Sequence, residues 1–297
     1  MRIITLGSSL GGSGKSFMAA NLGVALAQRG VRTCVVDLDL ATASLHLLLG
    51  MFEPVRGLPA FLRGDVATLD EAAMPVPEYD GLSLVPGAAE TMRGFSDEEV
   101  SRLIEGLARL PADVVLVDLA AGIAPQELDI FVSGDEQWLL TRADHRSVES
   151  AAGFLRLARL RRVARGHAVQ PPNRPKIYSS LDALVKDMTE MRRDEITLDR
   201  GRGVRPGLVL TCCTEELDAE TPGLLTPVAN VLGEPHMVIE IPHDVYVDRS
   251  IASLVPLVAD ASGSPAARCI ADLAARIASH DGQDEPVPTT SLETALF

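Results

Sequence analysis

The sequence predicts an α/β fold: a mainly parallel sheet, flanked by helices, in a three-layer sandwich. Three features predict it. Short, β-branched apolar runs recur at RIITLG (2–7), TCVVDLD (33–39), LSLVPG (82–87), DVVLVDL (113–119), QWLLTR (137–142), GLVLTC (207–212) and MVIEIP (237–242). Helix-length stretches separate most of them, such as 15–30 and 97–110. Strands buried on both faces and alternating with helices require a parallel sheet covered on both sides. Third, the first strand enters the first helix through a glycine-rich loop.

That loop and its helix come first in the chain. GSSLGGSGKS (7–16) places Gly11, Gly12, Ser13 and Gly14 before Lys15 and Ser16. Glycines permit backbone angles that turn successive N–H groups toward phosphate oxygens. The helix that starts near Lys15 adds its positive end. Lys15 supplies a point charge for the β and γ phosphates, and Ser16 offers a hydroxyl to Mg²⁺. The strict G-x-x-x-x-G-K-[ST] spacing is broken, because Ser9 stands at the first glycine. Within KSFMAANLGVALAQRG (15–30), Phe17, Leu22, Val24, Leu26 and the alanines leave little polar surface, and Gly30 is a stop signal.

Two later strands end in acids. Asp37 and Asp39 close the second apolar run, and Asp118 closes DVVLVDL. Carboxylates at the carboxyl edge of such a sheet handle Mg²⁺ and an attacking water. A lone aspartate there is more often a turn former; three of them beside a phosphate loop make a site.

The rhythm breaks twice. Residues 166–206 open and close with Gly, Pro and Arg and read as a basic insertion with one helical stretch near 180–195. Residues 281–297 read as a loose tail on a domain spanning 1–280. The formal net charge is −14, which disfavours coating of DNA or of an anionic membrane. Charge is uneven, however: residues 156–205 hold 13 Lys/Arg against 6 Asp/Glu. RLARLRRVARGH (156–167) reads as an amphipathic surface helix with a solvated arginine face. Its functional alternative is a surface, Arg156 to Arg165, for an acidic or anionic partner. Cys34, Cys212, Cys213 and Cys269 form no C-x-x-C pair and read as buried reduced thiols, a pattern that suits a cytoplasm. No run of about 18 apolar residues offers a membrane span.

Taken in order, these motifs resemble the MinD/ParA family of deviant P-loop ATPases, most closely its MinD/FlhG branch. LGGSGKS is similar to the family loop K-G-G-x-G-K-[ST]. DLDLATASLHLLLG resembles its D-x-D stretch, GLSLVPGA its G-L-x-[LI]-[LIV]-P-G, and DLAAG its D-x-x-[AP]-G. DEQWLLTRADHRSVESA (135–151) and EIPHDVYVDRSIASLVPLV (240–258) match two further family segments. The resemblance implies a SIMIBI-type P-loop fold that binds ATP or ADP with Mg²⁺. Lys15 and Ser16 would hold phosphate and metal, and Asp37 and Asp118 would support the metal. Asp39 would polarise the attacking water. Phe17 would lie by the α-phosphate. Thr211, Pro242, His243 and Asp244 would border the base. It further implies an ATP-dependent homodimer with slow ATPase activity and a regulatory protein partner. The family positions cellular cargo, and this role would keep the chain in the cytoplasm or at the periphery of a membrane or pole.

The chain departs from that pattern in four places. Leu10 replaces the signature lysine that reaches the other subunit's phosphates, so the transition state loses a cation; Arg93, Arg142 and Arg249 are candidate substitutes. Phe17 replaces a hydroxyl, and Leu119–Ala120 replaces a polar-Pro step. SLETALF lacks the basic amphipathic character of a membrane-binding C-terminus. The chain also opens directly at strand one, which predicts no FlhG-type extension. Two alternatives follow: a nucleotide-binding scaffold that does not hydrolyse, and a metabolic or redox relative, which the cysteine positions disfavour.

Overall fold

Each apolar run predicted as a strand contains one in the computed structural model, which describes residues 1–87, 94–166, 206–214, 221–232 and 237–279. The basic insertion, apart from residues 166 and 206, lies outside the described residues, as do the tail at 281–297 and Arg93. The first half of the chain runs β1 (Arg2–Gly7), α1 (Lys15–Ala27), β2 (Thr33–Asp37), α2 (Leu45–Leu48), α3 (Leu58–Arg63), α4 (Leu69–Ala72), β3 (Met74–Pro75), β4 (Leu82–Val85), α5 (Asp97–Leu107), β5 (Val114–Asp118) and α6 (Pro125–Phe131). The second half runs β6 (Glu136–Arg142), α7 (His145–Gly166), β7 (Gly207–Cys213), α8 (Thr221–Leu224), α9 (Thr226–Leu232), β8 (Met237–Pro242), α10 (Val245–Ser253), α11 (Leu257–Asp260) and α12 (Pro265–Ser279).

The strands form one sheet in the order β3-β4-β2-β5-β1-β6-β7-β8. Every pairing is parallel except β3 with β4. The antiparallel edge strand is not evident from sequence. It has two residues, too short for a periodic signal, and Pro75 suits an edge because it offers no ladder donor.

Side-chain alternation builds the two outer layers. Cys34, Val36, Val115, Val117, Leu208 and Leu210 face one core, packed by α3 to α7 and by α8 and α9. Ile4, Leu6, Val35, Leu116, Val209 and Ile239 face the other, packed by α1, α11 and α12. Successive strand residues point to opposite faces, so runs apolar at every position must be covered on both. α1 is buried along nearly its whole length, as its composition predicts, and ends at Ala27 ahead of a turn closed by Gly30 at φ 77°.

Two expectations need correction. Only Cys34 of the four thiols is fully buried; Cys212 is exposed and adopts φ 60°, while Cys213 and Cys269 are half-buried. The cause at β7 is a register shift between Leu210 and Cys213. A bulge adds a residue that the ladder does not hold. Nor is the arginine face of α7 simply solvated. Arg161 donates to both carboxylate oxygens of Asp129, and Arg159 donates to the Val231 carbonyl.

Candidate functional site

In a parallel sheet all carboxyl ends meet at one edge, and the predicted residues gather there. Register sets Asp118 opposite both Leu6 and Asp37. The phosphate loop therefore rises from β1 beside acid-tipped β5, with acid-tipped β2 one strand further on. Beneath it, Phe131 and Phe154 make an edge-to-face pair at 4.9 Å. A Cβ on Gly7 would stand 2.7 Å from the Phe131 ring, so core packing requires glycine where strand becomes loop.

Gly12 (φ 74°) and Gly14 (φ 85°) take left-handed conformations that side chains disfavour. Gly14 is the N-cap of α1 and makes no side-chain cap, and the first turn holds no acid. The free N–H groups of that turn remain available to an anion. Gly11 is exposed at the loop tip and Leu10 half-buried beside it.

Lys15 is 8% exposed, and its Nζ donates to the Ser8 hydroxyl at 2.7 Å. Ser8 in turn donates to the Leu10 carbonyl at 2.9 Å. Burial lowers the Lys15 pKa, against the opposing charges of Asp118 and Asp39. Ser8 is a site residue that sequence reasoning missed; its only signal is its place just after the strand.

The acids differ in how they are held. Asp37 accepts from the Asp39 and Leu45 N–H groups at 3.0 and 3.2 Å, yet burial raises its pKa to about 6. Asp118 is 1% exposed, and neither of its oxygens has a hydrogen-bond partner. Burial, then the Asp37 charge, pushes its pKa to about 7, while the nearby Ser16 hydroxyl and Lys15 ammonium oppose the rise. Asp39 is half-buried and turned into its own loop: Oδ1 accepts from Ala41 and Thr42 N–H, and Oδ2 from the Thr42 hydroxyl.

A bare carboxylate inside a protein is costly unless a cation answers it. Asp118, with Asp37 and the Ser16 hydroxyl near it, supplies hard oxygen donors suited to Mg²⁺. Among the described residues no group of three His, Cys, Asp or Glu side chains could hold a metal. Mg²⁺ binds through one or two carboxylates and takes its other ligands from phosphate and water.

On the far side of the loop, the Thr211 hydroxyl donates to the Ser13 carbonyl at 3.2 Å, tying β7 to the loop. His243 N–H donates to the Cys213 carbonyl at 2.7 Å, so Pro242 and His243 lie beside the end of β7. Asp244 accepts from Tyr246 N–H and Ala266 N–H, both at 3.0 Å, joining the starts of α10 and α12. Burial works to raise its pKa, but those bonds and the Ser264 hydroxyl hold it below the usual range. Phe17 is half-buried and packs against the core on the α1 side of the sheet. Asn21, also missed, is 1% exposed: it donates to the Phe17 carbonyl and accepts from Val258 N–H, fastening α1 to α11. No described helix is long and apolar enough to cross a membrane.

Known proteins share this fold. The septum site-determining protein MinD of Synechocystis sp. is 29% identical over 151 residues, covering 50% of this chain and 56% of the relative. The chain thus spans about half the length of the curated relatives it matches. The MinD of Pyrococcus horikoshii complexed with Mg-ADP superposes with a TM-score of 0.61 at 21% identity, covering 94% of this chain and 96% of that one. The MinC:MinD cell division protein complex of Aquifex aeolicus gives 0.66 at 19% identity, covering 97% and 99%. At such identities the likeness shows the fold. A model of the CobQ/CobB/MinD/ParA nucleotide binding domain matches residues 4–255, and the chain belongs to that family.

Proposed function

We propose that this protein binds ATP and ADP with Mg²⁺ and acts as an ATP-dependent dimerising switch with slow hydrolysis, in the spatial positioning of a cellular structure. The observation that carries the reading is the unanswered Asp118 carboxylate, set by register beside Asp37 and one strand from an uncapped phosphate loop. The N–H groups from Gly11 to Gly14 would cradle phosphate, and Lys15 would leave Ser8 to meet the β and γ phosphates. Ser16, Asp37 and Asp118 would hold Mg²⁺. Bound Mg²⁺ would neutralise charge on the phosphoryl oxygens. Thr211, Pro242 and His243 would border the base, in a loop that Asp244 braces. A relative observed with Mg-ADP and another with MinC support a nucleotide-governed partner switch.

Calorimetric titration with MgADP and MgATP tests binding: wild type should bind both, and Lys15→Ala should bind both far more weakly. Phosphate release across protein concentrations tests the switch, since a dimer-dependent rate rises more steeply than concentration. A wild type that takes up no nucleotide overturns the reading.

One observation favours a second reading, a nucleotide-binding scaffold that does not hydrolyse. Both Asp39 oxygens are engaged within the 39–42 turn, so in this conformation the carboxylate is not free to polarise water. Tight MgATP binding without phosphate release, unchanged by Asp39→Ala, would select it.

A further inference from the structure

Beside the phosphate loop, on the side away from Asp37 and Asp118, lies a hollow of about 410 Å³. Loop residues Ser9, Leu10 and Ser13 form one wall, and Arg142, Arg146 and Ser147 the other. Two features mark it as built for an anion. The Ser13 hydroxyl is buried at 4% exposure and has no hydrogen-bond partner. A buried hydroxyl left unpaired costs free energy unless something fills its need. The second feature is a surplus cation. Asp144, the acid on this wall, is already engaged: it accepts from Ser147 N–H and Oγ, both at 2.9 Å, and lies 3.6 Å from Arg142. Arg142 and Asp144 offset one another. Arg146, exposed in the first turn of α7, has no ion pair or side-chain hydrogen bond among the described residues. It stands near the positive end of a 22-residue helix whose first turn holds no acid.

From this geometry we infer that Arg146 and the Ser13 hydroxyl form a second anion subsite, which takes a phosphoryl oxygen of a nucleotide polyphosphate. The inference rests on the nucleotide-binding reading and names its missing cation. Leu10 lines the same hollow and brings no charge to it. Of the arginines considered from sequence, Arg93 lies outside the described residues, Arg249 pairs with Asp260 at 3.4 Å and Arg142 is offset by Asp144; Arg146, which the sequence did not single out, is the unpaired cation on this wall. A guanidinium suits a phosphate because its fixed fork meets two oxygens at once. The phosphate belongs either to the nucleotide in the same subunit or to one brought by a second copy of the chain, since the hollow opens beside the loop tip.

Calorimetry and phosphate release on wild type, Arg146→Ala, Arg146→Lys and Arg109→Ala test it. Arg146→Ala should lose about tenfold or more in MgATP affinity or turnover, the scale of one charge-assisted contact. Arg146→Lys should recover most of that loss. Arg109→Ala, on the distant α5–β5 turn, should match wild type and control for net charge. Equal melting temperatures establish that the variants fold. Arg146→Ala matching wild type in both affinity and turnover overturns the subsite while leaving the nucleotide reading intact. A wild type that binds no nucleotide overturns both. Mixing Lys15→Ala with Arg146→Ala then separates the sources: turnover returns only if Arg146 acts on the partner's nucleotide, and stays lost if it acts on its own.

Discussion

The carboxyl edge of the sheet has two halves that treat buried polar groups in opposite ways. Around β1 and β5, two charged groups are buried without full answer. Asp118 has no hydrogen-bond partner, and Lys15 is buried with a lowered pKa and leans on Ser8. Around β8, α10 and α12 most buried groups are satisfied, Nη2 of Arg276 excepted. Asp244 caps two helices, and Ser250 donates to the Val255 carbonyl at 2.6 Å. Ser264 accepts from Ala267 N–H at 3.3 Å. A satisfied group holds the fold together. An unsatisfied one stores a cost that a ligand can relieve, and at Ser13 and Asp118 such groups flank the phosphate loop.

pH should separate the halves most strongly. Asp118 has a pKa of about 7 in the folded protein, against roughly 4 unfolded. The folded state therefore binds a proton that the unfolded chain lacks between these values. Stability of the metal-free protein should fall as pH rises from about 4 to about 8, by up to about 4 kcal/mol. Asp37, at about 6, adds to the same slope. Chemical denaturation at several pH values should show the decline, and Asp118→Asn should flatten it. MgADP should raise the melting temperature more at pH 8 than at pH 5.5, because the cation answers the charge that destabilises the free protein.

Lys15→Ala is the next largest break. Loss of a buried ammonium aimed at phosphate should cost about 100-fold in nucleotide affinity. Circular dichroism should show the helices retained, since the chain beyond Lys15 keeps its core contacts. Equal affinity in this variant would mean that the N–H groups of the loop alone hold the nucleotide.

The satisfied half should respond with the opposite sign. Asp244→Ala removes the acceptor for two helix starts and should lower stability by about 2 kcal/mol in denaturant melts. The Asp244 pKa is depressed, so its contribution is present above the unfolded value near 4 and disappears as pH falls through the lower folded one. Acid should therefore weaken this junction where it strengthens the metal-free Asp118 region.

The same contrast decides what the sequence can reveal. The loop, Asp37 and Asp118 are legible because their signals are local: glycines before Lys15, acids at the ends of apolar runs. Ser8 is not, and although Ser13 is read as part of the loop, the burial of its unpaired hydroxyl is not, since both depend on which atoms the folded loop buries. Asp244 looks like a base-site residue, and its bond to Ala266 N–H, 22 residues on, leaves no local trace. The strand order and the bulge that exposes Cys212 are set by packing across the sheet. α7 is read as helical only from Arg156, yet it begins at His145; Val148, Ala151, Ala152 and Leu155 already repeat at i, i+3, i+4 and i+7, but two alanines among Ser, Gly and charged residues make that stripe faint in the sequence.

The smallest effect tests whether the arginines of α7 belong with the satisfied half or form a docking face. Arg161 donates to Asp129 Oδ1 at 2.8 Å and to Oδ2, and Asp129 is 5% exposed. Arg156, earlier on the same helix, is exposed. A two-bonded guanidinium on a buried carboxylate braces α7 against α6, so Arg161→Ala should cost about 1 kcal/mol of stability. Arg156→Ala should cost nothing measurable in the same melt. If the helix instead serves an acidic partner, the ranking reverses in a binding assay: Arg156→Glu weakens capture of that partner, while Arg161→Ala changes it only as far as it loosens the helix. Equal melts for the two alanine variants would show that the Asp129 pair contributes nothing to the fold and would return Arg161 to the solvated face that the sequence predicts.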